Sequence, residues 1–515
     1  MLERIIAAGN IDIQPQQLIE FESQGRCLVI GMAAELASVL PHLPGLKRYV
    51  SVLDAGDVEL DSDDTLIQQT LTSLTGWLGQ FSAQFGEHQL TVDVVLDLSQ
   101  KPHLQTKVPP LGYFAPKGDA QALVEALQQL PDLVGIFDKP RYFNYDPELC
   151  AHSRRGVSGC QNCIEACPAD AISTSGSDIV LFNPNLCQGC GSCTVVCPSG
   201  AVSYALPTLD VSVDRLRQML NAYQSEHTSP AQLLIHDQTT GLQQLEAYAY
   251  PVADTVIPFG IEEIGALGQA FWLAAIAYGV SRVVIWDAGS HSDHDWLELQ
   301  AKITETNLIL AELGLGERRI EFLRAHRMDA LKQVLADELQ PTGIASARFA
   351  GVDDKRRMMT MALSHLHQHA CCQSLQMTLP ETAAFGEISV DKQACTLCMS
   401  CVSVCPAGAI LDGVDKPQLN FIEDLCVQCG LCEQACPEDA IDLHARYLFD
   451  RNQARQKRLL NEEPVFHCIS CHKPFATQKM IDTMMLKLAD HPMFQGDALN
   501  RLKMCEDCRV KAMFK

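Results

Sequence analysis

Cysteine is the residue type whose number and spacing in this chain can do chemistry, with 23 in 515 residues. Three stretches share one arrangement. They read Cys187-x-x-Cys190-x-x-Cys193-x-x-x-Cys197-Pro198, Cys395-x-x-Cys398-x-x-Cys401-x-x-x-Cys405-Pro406 and Cys426-x-x-Cys429-x-x-Cys432-x-x-x-Cys436-Pro437. A further stretch, the first in chain order, is irregular: Cys160-x-x-Cys163-x-x-x-Cys167-Pro168, whose only available first ligand is Cys150, ten positions upstream of Cys160. Thiolates at this spacing suit iron–sulfur cubes. Three close together wrap three corners of one cube, and the fourth, ahead of a proline, turns away to a neighbouring cube. Paired motifs therefore exchange their last ligand. In the first pair, one set is Cys187, Cys190, Cys193 and Cys167, and the other is Cys160, Cys163, Cys197 and Cys150. In the second pair the sets are Cys395, Cys398, Cys401 with Cys436, and Cys426, Cys429, Cys432 with Cys405. Each Cys-Pro leads to an alanine and an aliphatic, Ala171-Ile172, Ala201-Val202, Ala409-Ile410 and Ala440-Ile441, and the aliphatic is expected to open a short strand covering the cluster. Gly189, Gly191 and Gly430 let the backbone approach sulfur closely.

These residues closely resemble the bacterial dicluster 4Fe-4S ferredoxin family, in two copies over about residues 145–205 and 387–445. The resemblance implies two ferredoxin modules, up to four [4Fe–4S] clusters and electron transport. Zinc binding or buried free thiols is the competing reading, and three regular repeats ending in proline weigh against it. The irregular motif has two readings. Either the insert at 151–159 loops out and leaves Cys150 in place, or the site holds only Cys160, Cys163 and Cys197. The second outcome means a three-iron cluster, or a cube completed by His152 or solvent. Arg154 and Arg155 in the insert either raise that cluster's potential or belong to a solvated loop.

Two more pairs, Cys468-x-x-Cys471 and Cys505-x-x-Cys508, stand 33 residues apart. Two such hooks build a tetrahedral thiolate site, and this tail resembles a zinc-ribbon-like knuckle holding structural zinc. Mononuclear iron or a fifth iron–sulfur cluster is the alternative. Cys468-Ile469-Ser470-Cys471-His472 also matches the c-type haem attachment pattern, but haem there would orphan Cys505 and Cys508. Cys27, Cys371 and Cys372 remain, and core positions are their simplest reading. His365, His369 and Cys372 at i, i+4 and i+7 would share a helical face without a fourth partner. His291 and His294 read as a solvated loop.

The elements that must position these cysteines are α/β. The length suggests three or four domains, and 47% hydrophobic with 20% charged residues excludes a disordered chain. Within residues 1–140, strands are expected at Cys27-Leu28-Val29-Ile30, at 49–53 and at 92–98, with helices at 33–40 and 121–130. The first strand runs into Gly31-Met32-Ala33-Ala34-Glu35, which lacks G-x-G-x-x-G, so a scaffold is favoured over nucleotide binding. Residues 206–380 form a second α/β unit, with strands at 232–236 and 283–286, an apolar helix at 264–280 and another at 301–313. Its run from Leu233 through Pro258-Phe259-Gly260, Ala277-Tyr278-Gly279-Val280 and Glu312-Leu313-Gly314 to Ile320-Glu321 faintly resembles the delta subunit of methyl-viologen-reducing hydrogenases. That family holds a [2Fe–2S] cluster in this domain, but no cysteine lies between 198 and 370 here, so that cofactor is not carried over. The expected order is an α/β scaffold (1–140), a dicluster module (141–205), an α/β hydrogenase-delta-like domain (206–380), a second dicluster module (381–447) and a CxxC/CxxC metal-binding tail (448–515). The class is thus α/β and α+β multidomain.

Net charge is −24, which disfavours nucleic acid as a partner. Residues 387–445 carry 10 acids and 2 bases, whereas 446–515 carry 8 acids and 13 bases, so the tail is expected to fold over its own module or to dock an acidic partner. The start has no signal-peptide pattern, and 264–280 is too short and too interrupted to span a membrane, so a cytoplasmic protein is expected. Reducing conditions there keep thiols available for metal. No nucleophile–base pair, flavin signature or P-loop appears. The expectation is an electron-transfer component, an accessory or relay subunit of a bacterial oxidoreductase such as a formate dehydrogenase or hydrogenase, partnered by redox proteins. A maturation or assembly scaffold for a metalloenzyme is the alternative.

Overall fold

The computed structural model describes residues 2–54, 56–62, 64–152, 159–176, 179–247, 253–289, 296–324, 328–336, 341–372, 374–413, 416–489, 491–494 and 496–513. The first α/β unit is built on five parallel strands, in the spatial order Asp64–Ile67, Lys47–Val52, Arg26–Gly31, Val94–Asp97 and Tyr113–Phe114. Side chains alternate across a strand, so the unbroken apolar run 27–30 serves two cores. Cys27 and Val29 face Leu36, Val39, Ala126 and Leu130 of the Ala33–Val39 and Ala120–Gln129 helices and the short turns that follow them. Leu28 and Ile30 face Phe81, Ala83 and Phe85 of a separate antiparallel sheet made by Leu71–Thr75, Phe81–Phe85 and His88–Val92. Its strands were not expected from the sequence: Leu71 and Leu74 are both buried across a bulge, which breaks the two-residue period of the first strand, whereas Phe81–Phe85 alternates cleanly.

The second α/β unit carries four parallel strands in the order Val256–Ile261, Ala231–Asp237, Val280–Asp287, Ile320–Arg324. The apolar stretch 264–280 is not one helix. A 3-10 turn (Ile264–Ala266) leads through Gly268 into the Gln269–Ala277 helix, and the strand begins at Val280. Every residue of that helix is buried, between the sheet and the Leu209–Glu226 and Lys355–His369 helices, which explains its apolar character without a membrane. No helix among the described residues is long and apolar enough to cross a membrane. The Leu2–Ala8 helix belongs spatially to this unit. Ile5 enters its core, Arg4 pairs with Glu226, and the Arg215 Nε donates to the Gly9 carbonyl.

Between and after these units lie the cysteine-rich segments, built from short strand pairs. In the first, Ile172–Ser175 pairs with Ile179–Phe182 and Phe143–Tyr145 with Val202–Tyr204. In the second, Ile441–Leu448 is flanked by Gln376–Thr378 and Gly386–Val390, and Ile410–Asp412 pairs with Gln418–Phe421. The second segment therefore recruits a strand from before residue 381. It also recruits Arg458–Glu462 from the basic tail, as a third strand beside Gln418–Phe421. All four expected post-proline strands open on the expected aliphatic, Ile172, Val202, Ile410 and Ile441.

The tail folds over its own acidic segment. Arg446 donates to Glu387 and Glu423 at 2.6 and 2.7 Å, Arg458 reaches Glu387 at 2.8 Å, and Arg451 and Arg455 share Asp424. Several of these partners are half-buried and shared between two arginines, a networked geometry that exceeds what isolated surface pairs contribute.

Candidate cluster and metal sites

The three regular motifs wrap their cysteines with the same backbone device. In the three regular motifs the residues two and four positions after the first cysteine take left-handed φ: Gly189 and Gly191 (82° and 81°), Leu397 and Met399 (55° and 64°), Gln428 and Gly430 (53° and 77°). These turns point successive thiols inward. A short helix then starts, Ser192–Val196, Ser400–Val404 or Leu431–Gln434, and carries the third cysteine. Beyond each Cys-Pro a second left-handed residue, Asp170, Gly200, Gly408 or Asp439, folds the chain back on the sulfur. The alanine that follows donates its N–H to that sulfur at 3.3 Å for Ala171 to Cys167, 3.2 Å for Ala409 to Cys405 and 3.3 Å for Ala440 to Cys436. Ala201 differs, donating to the Ser199 hydroxyl, which itself lies 3.7 Å from the Cys197 sulfur.

The structure gathers the thiols in four groups. Cys167, Cys187, Cys190 and Cys193 line one small cavity, Cys405, Cys426, Cys429 and Cys432 a second, and Cys395, Cys398, Cys401 and Cys436 a third. Cys150 and Cys197 sit close enough to Cys160 and Cys163 to help raise those two thiols. Burial first, and neighbouring thiolates second, push Cys163, Cys401 and Cys429 up to about 12 and Cys190 up to about 11, while Cys193 lies well above its ordinary value. Clustered, buried thiols that resist ionisation are what a cationic centre relieves, because binding replaces their protons. The donor sets therefore fit an iron–sulfur cube in number and chemistry. None of the 23 cysteines is in a disulfide.

Cys150 is buried with this group, and its sulfur accepts the His152 N–H at 3.5 Å. The His152 Nδ1 lies 3.1 Å from the Cys160 carbonyl, and its buried Nε2 has no hydrogen-bond partner among the described residues. Arg154 and Arg155 fall outside the described residues, as do His291 and His294.

Two features were not legible in the motifs. The first is Lys139, whose ammonium donates to the Asn185 and Cys187 carbonyls at 2.8 and 2.6 Å, with burial pushing it down to about 8. The second is the meeting of the two cysteine-rich segments. Ala151, Val404 and Leu431 form a small buried cluster against which Cys160, Cys429 and Ala435 pack, and a Cβ on Gly159 would stand 3.0 Å from a Leu431 methyl. The ionisation of Cys429 also responds to Cys160 across this seam.

In the tail, Cys468, Cys471, Cys505 and Cys508 bring their sulfurs within 4.8 Å of one another, a spacing that suits one tetrahedral ion. Burial raises the Cys468 thiol, yet N–H groups of Cys505, Cys471 and Ser470 outweigh it and hold it down at about 6. The Val465–His467 and Pro474–Thr477 hairpin carries one hook, and the Gln478–Leu488 helix spans much of the interval to the other.

The remaining cysteines divide. Cys27 is a core residue whose thiol burial pushes up to about 12. Cys371 and Cys372 correct the core reading, being exposed just past the Lys355–His369 helix. That helix ends before Cys372, so His365 and His369 do not share a helical face with it. Their rings instead cap backbone, with His365 against the Ala345 carbonyl at 2.6 Å and His369 against the His365 carbonyl at 3.0 Å. The helix start at Ala33 is also occupied. Glu35 accepts the Met32 N–H and Asp54 accepts the Ala33 N–H, where a phosphate would otherwise sit.

Comparison with known proteins agrees with the two cysteine-rich segments. Residues 157–201 and 394–441 each match a 4Fe-4S dicluster domain family. Ferredoxin-1 of Caulobacter vibrioides is 44% identical over 50 residues, which is 9% of this chain and 42% of that protein. Hydrogenase-4 component A of Escherichia coli is 40% identical over 81 residues (12% and 38%), and pyruvate synthase subunit PorD of Thermotoga maritima 41% over 56 residues (10% and 54%). The chain thus spans about half, or less, of the length of the curated relatives it matches. Both cysteine-rich segments are modules of the dicluster 4Fe-4S ferredoxin family, and the chain carries two of them.

Proposed function

We propose that this chain is an iron–sulfur electron relay, serving as an accessory subunit of a bacterial oxidoreductase. The carrying observation is the seam between the modules. The Cys160 and Cys429 groups pack together, so the four thiol groups line up in the order Cys187, Cys160, Cys429, Cys395, named by one member of each. Four ligand sets follow: Cys187, Cys190, Cys193 and Cys167; Cys150, Cys160, Cys163 and Cys197; Cys426, Cys429, Cys432 and Cys405; and Cys395, Cys398, Cys401 and Cys436. A cube held by four thiolates supplies single-electron storage and offers substrate no open coordination position.

The chain's own groups do the rest. Backbone N–H donors from Ala171, Ala409 and Ala440 favour the negative charge on sulfur. Apolar cover from Ile172, Val202, Ile410 and Ile441 excludes water. The two α/β units, which hold no cysteine group among the described residues, act as scaffold, and the hydrogenase-delta-like unit has kept its shape without a redox centre. Cys468, Cys471, Cys505 and Cys508 hold structural zinc that fixes the basic tail. Redox proteins are the partners, since matched relatives include subunits named for a hydrogenase and a pyruvate synthase. A cytoplasmic setting fits the free thiols.

The test is anaerobic affinity purification of the full chain with identification of co-purifying proteins, followed by redox titration. A stoichiometric catalytic subunit and clusters reducible in its potential range support the relay. Recovery with only chaperones or apo-enzyme sinks it in favour of a maturation scaffold.

A further inference from the structure

The two central thiol groups meet at the Cys160–Cys429 seam, yet they belong to modules separated by the whole second α/β unit. Something must hold them in register. The first turn of the Lys355–His369 helix, capped by Asp354 accepting the Arg357 N–H at 2.9 Å, places two consecutive cations between the modules. Neighbouring helix positions point about 100° apart. Lys355 and Arg356 thereby face different modules.

The Lys355 ammonium donates to the Thr194, Val195 and Cys197 carbonyls at 2.8, 2.7 and 3.0 Å. Thr194 and Val195 lie in the last turn of the Ser192–Val196 helix and Cys197 is its cap residue, so these carbonyls lack partners inside it. Three donors meet three acceptors, using the full capacity of the group. The Arg356 guanidinium reaches the other module, donating through Nε at 3.2 Å and Nη2 at 3.1 Å to the Asp424 carbonyl, through Nη2 also to the Cys426 carbonyl, and through Nη1 at 2.6 Å to the Ala384 carbonyl. Its face lies over the Phe385 ring, 4.5 Å from the centroid. Among the described residues, neither cation has an ion pair with a carboxylate. Every hydrogen-bond acceptor of the two among the described residues is a backbone carbonyl. Carboxylates act on them only without direct pairing, Glu305 on Lys355 and Asp424 on Arg356, and Asp424 is already shared by Arg451 and Arg455, so positive charge stands next to Cys197 and Cys426, one thiol from each central group.

We propose that Lys355 and Arg356 are positioning residues that clamp the two ferredoxin modules in one register and bias the two central clusters toward their reduced, more negative form. This rests on the relay reading. Positive charge that is not neutralised locally stabilises the added electron, and low-dielectric surroundings strengthen the effect. Lys355 also acts on Cys193 of the outer Cys187 group, so the Cys395 group serves as the internal control.

The experiment uses the full chain purified anaerobically, with potentiometric titration followed by electron paramagnetic resonance. The variants are Lys355→Gln, Arg356→Gln and the charge-conserving Lys355→Arg and Arg356→Lys. We expect the Gln variants to keep the iron content of the parent, to lower the midpoint of a central cluster while that of the Cys395 group stays put, and to weaken magnetic coupling between the two central reduced clusters. The charge-conserving variants should restore the potential, and should restore the coupling only in part where the carbonyl contacts differ. If the Gln variants lose iron, the charge-conserving pair decides: parental potentials and parental coupling in both overturn the clamp, and a changed coupling supports it. Unchanged potentials and coupling in iron-replete Gln variants overturn the inference while leaving the relay intact. A parent protein without reducible clusters overturns both.

Discussion

The second and third cysteine motifs make the same two left-handed turns, yet different surroundings back them. In the first module the turn at Gly191 presses against the second α/β unit, where a Cβ would stand 2.3 Å from the Gly265 carbonyl oxygen. Gly265 is equally constrained, since its own Cβ would lie 2.2 Å from the Cys190 carbonyl. In the second module the matching position is Met399, a residue with a side chain at φ 64° that packs on its own core. The motif therefore demands the backbone shape, and the neighbour decides whether glycine is also demanded. At this turn the built-in first module leans on the α/β body and the wrapped second one on its own core. The second module also packs on that body through Met377, Phe385, Tyr447 and Phe449, besides being wrapped by the basic tail.

Replacing Cys398 with Ala should have the largest effect on cofactor content. It should remove about a quarter of the iron and leave the first module's clusters in place, as measured by iron and sulfide analysis. Loss of all iron would show that the modules do not load separately. Next, Cys505→Ser should release the tail's metal ion while iron stays constant, read by elemental analysis; metal content unchanged would end the zinc assignment. Both changes probe the wrapped module.

The built-in module is probed by Gly191→Ala, which should cost about 3 kcal/mol in denaturant unfolding because a carbonyl occupies the space. A more distant support is Asp97. It accepts hydrogen bonds from Ser99, the His103 N–H and the Tyr113 hydroxyl, and so fixes the segment from which the Val108 N–H reaches the Pro168 carbonyl at 2.9 Å. Burial raises the Asp97 carboxyl, but these donors outweigh it and hold it below the usual carboxylate value. A lowered folded value contributes stability that is present above the unfolded value near 3.8 and lost as pH falls through the folded one. Asp97→Asn should thus cost about 2 kcal/mol at pH 7, and the gap from the parent should close below about pH 3.8. A pH-independent gap would show that the charge is not what matters. The smallest effect belongs to Met399→Gly, within about 1 kcal/mol either way, since relief of left-handed backbone offsets lost packing. A loss as large as that of Gly191→Ala would erase the contrast between the modules.

The cysteine groups were legible because their grammar is short-range. Three thiols within seven residues and a Cys-Pro turn specify how the local chain folds around a cube, and four aliphatics open strands where expected. Parallel strands such as 27–30 were legible from unbroken apolar runs. The antiparallel sheet over 71–92 was legible only in its Phe81–Phe85 strand, which alternates cleanly, since a bulge breaks the alternation of Leu71–Thr75. The 264–280 stretch hid a break at Gly268 because a helix buried on all sides has no amphipathic period.

By itself, the sequence determined the spacing of the three regular cysteine motifs, their occurrence in pairs, the α/β class of the two larger units and the attraction of a basic tail to an acidic module. Each depends on spacing, periodicity or charge within a short stretch. Only the tertiary structure decided that Cys160 meets Cys429, that Cys150 joins the irregular group and that Lys355 and Arg356 stand between the modules. Those outcomes depend on how distant surfaces pack, and a lysine followed by an arginine on a helix has no local signature that tells a clamp from a solvated face.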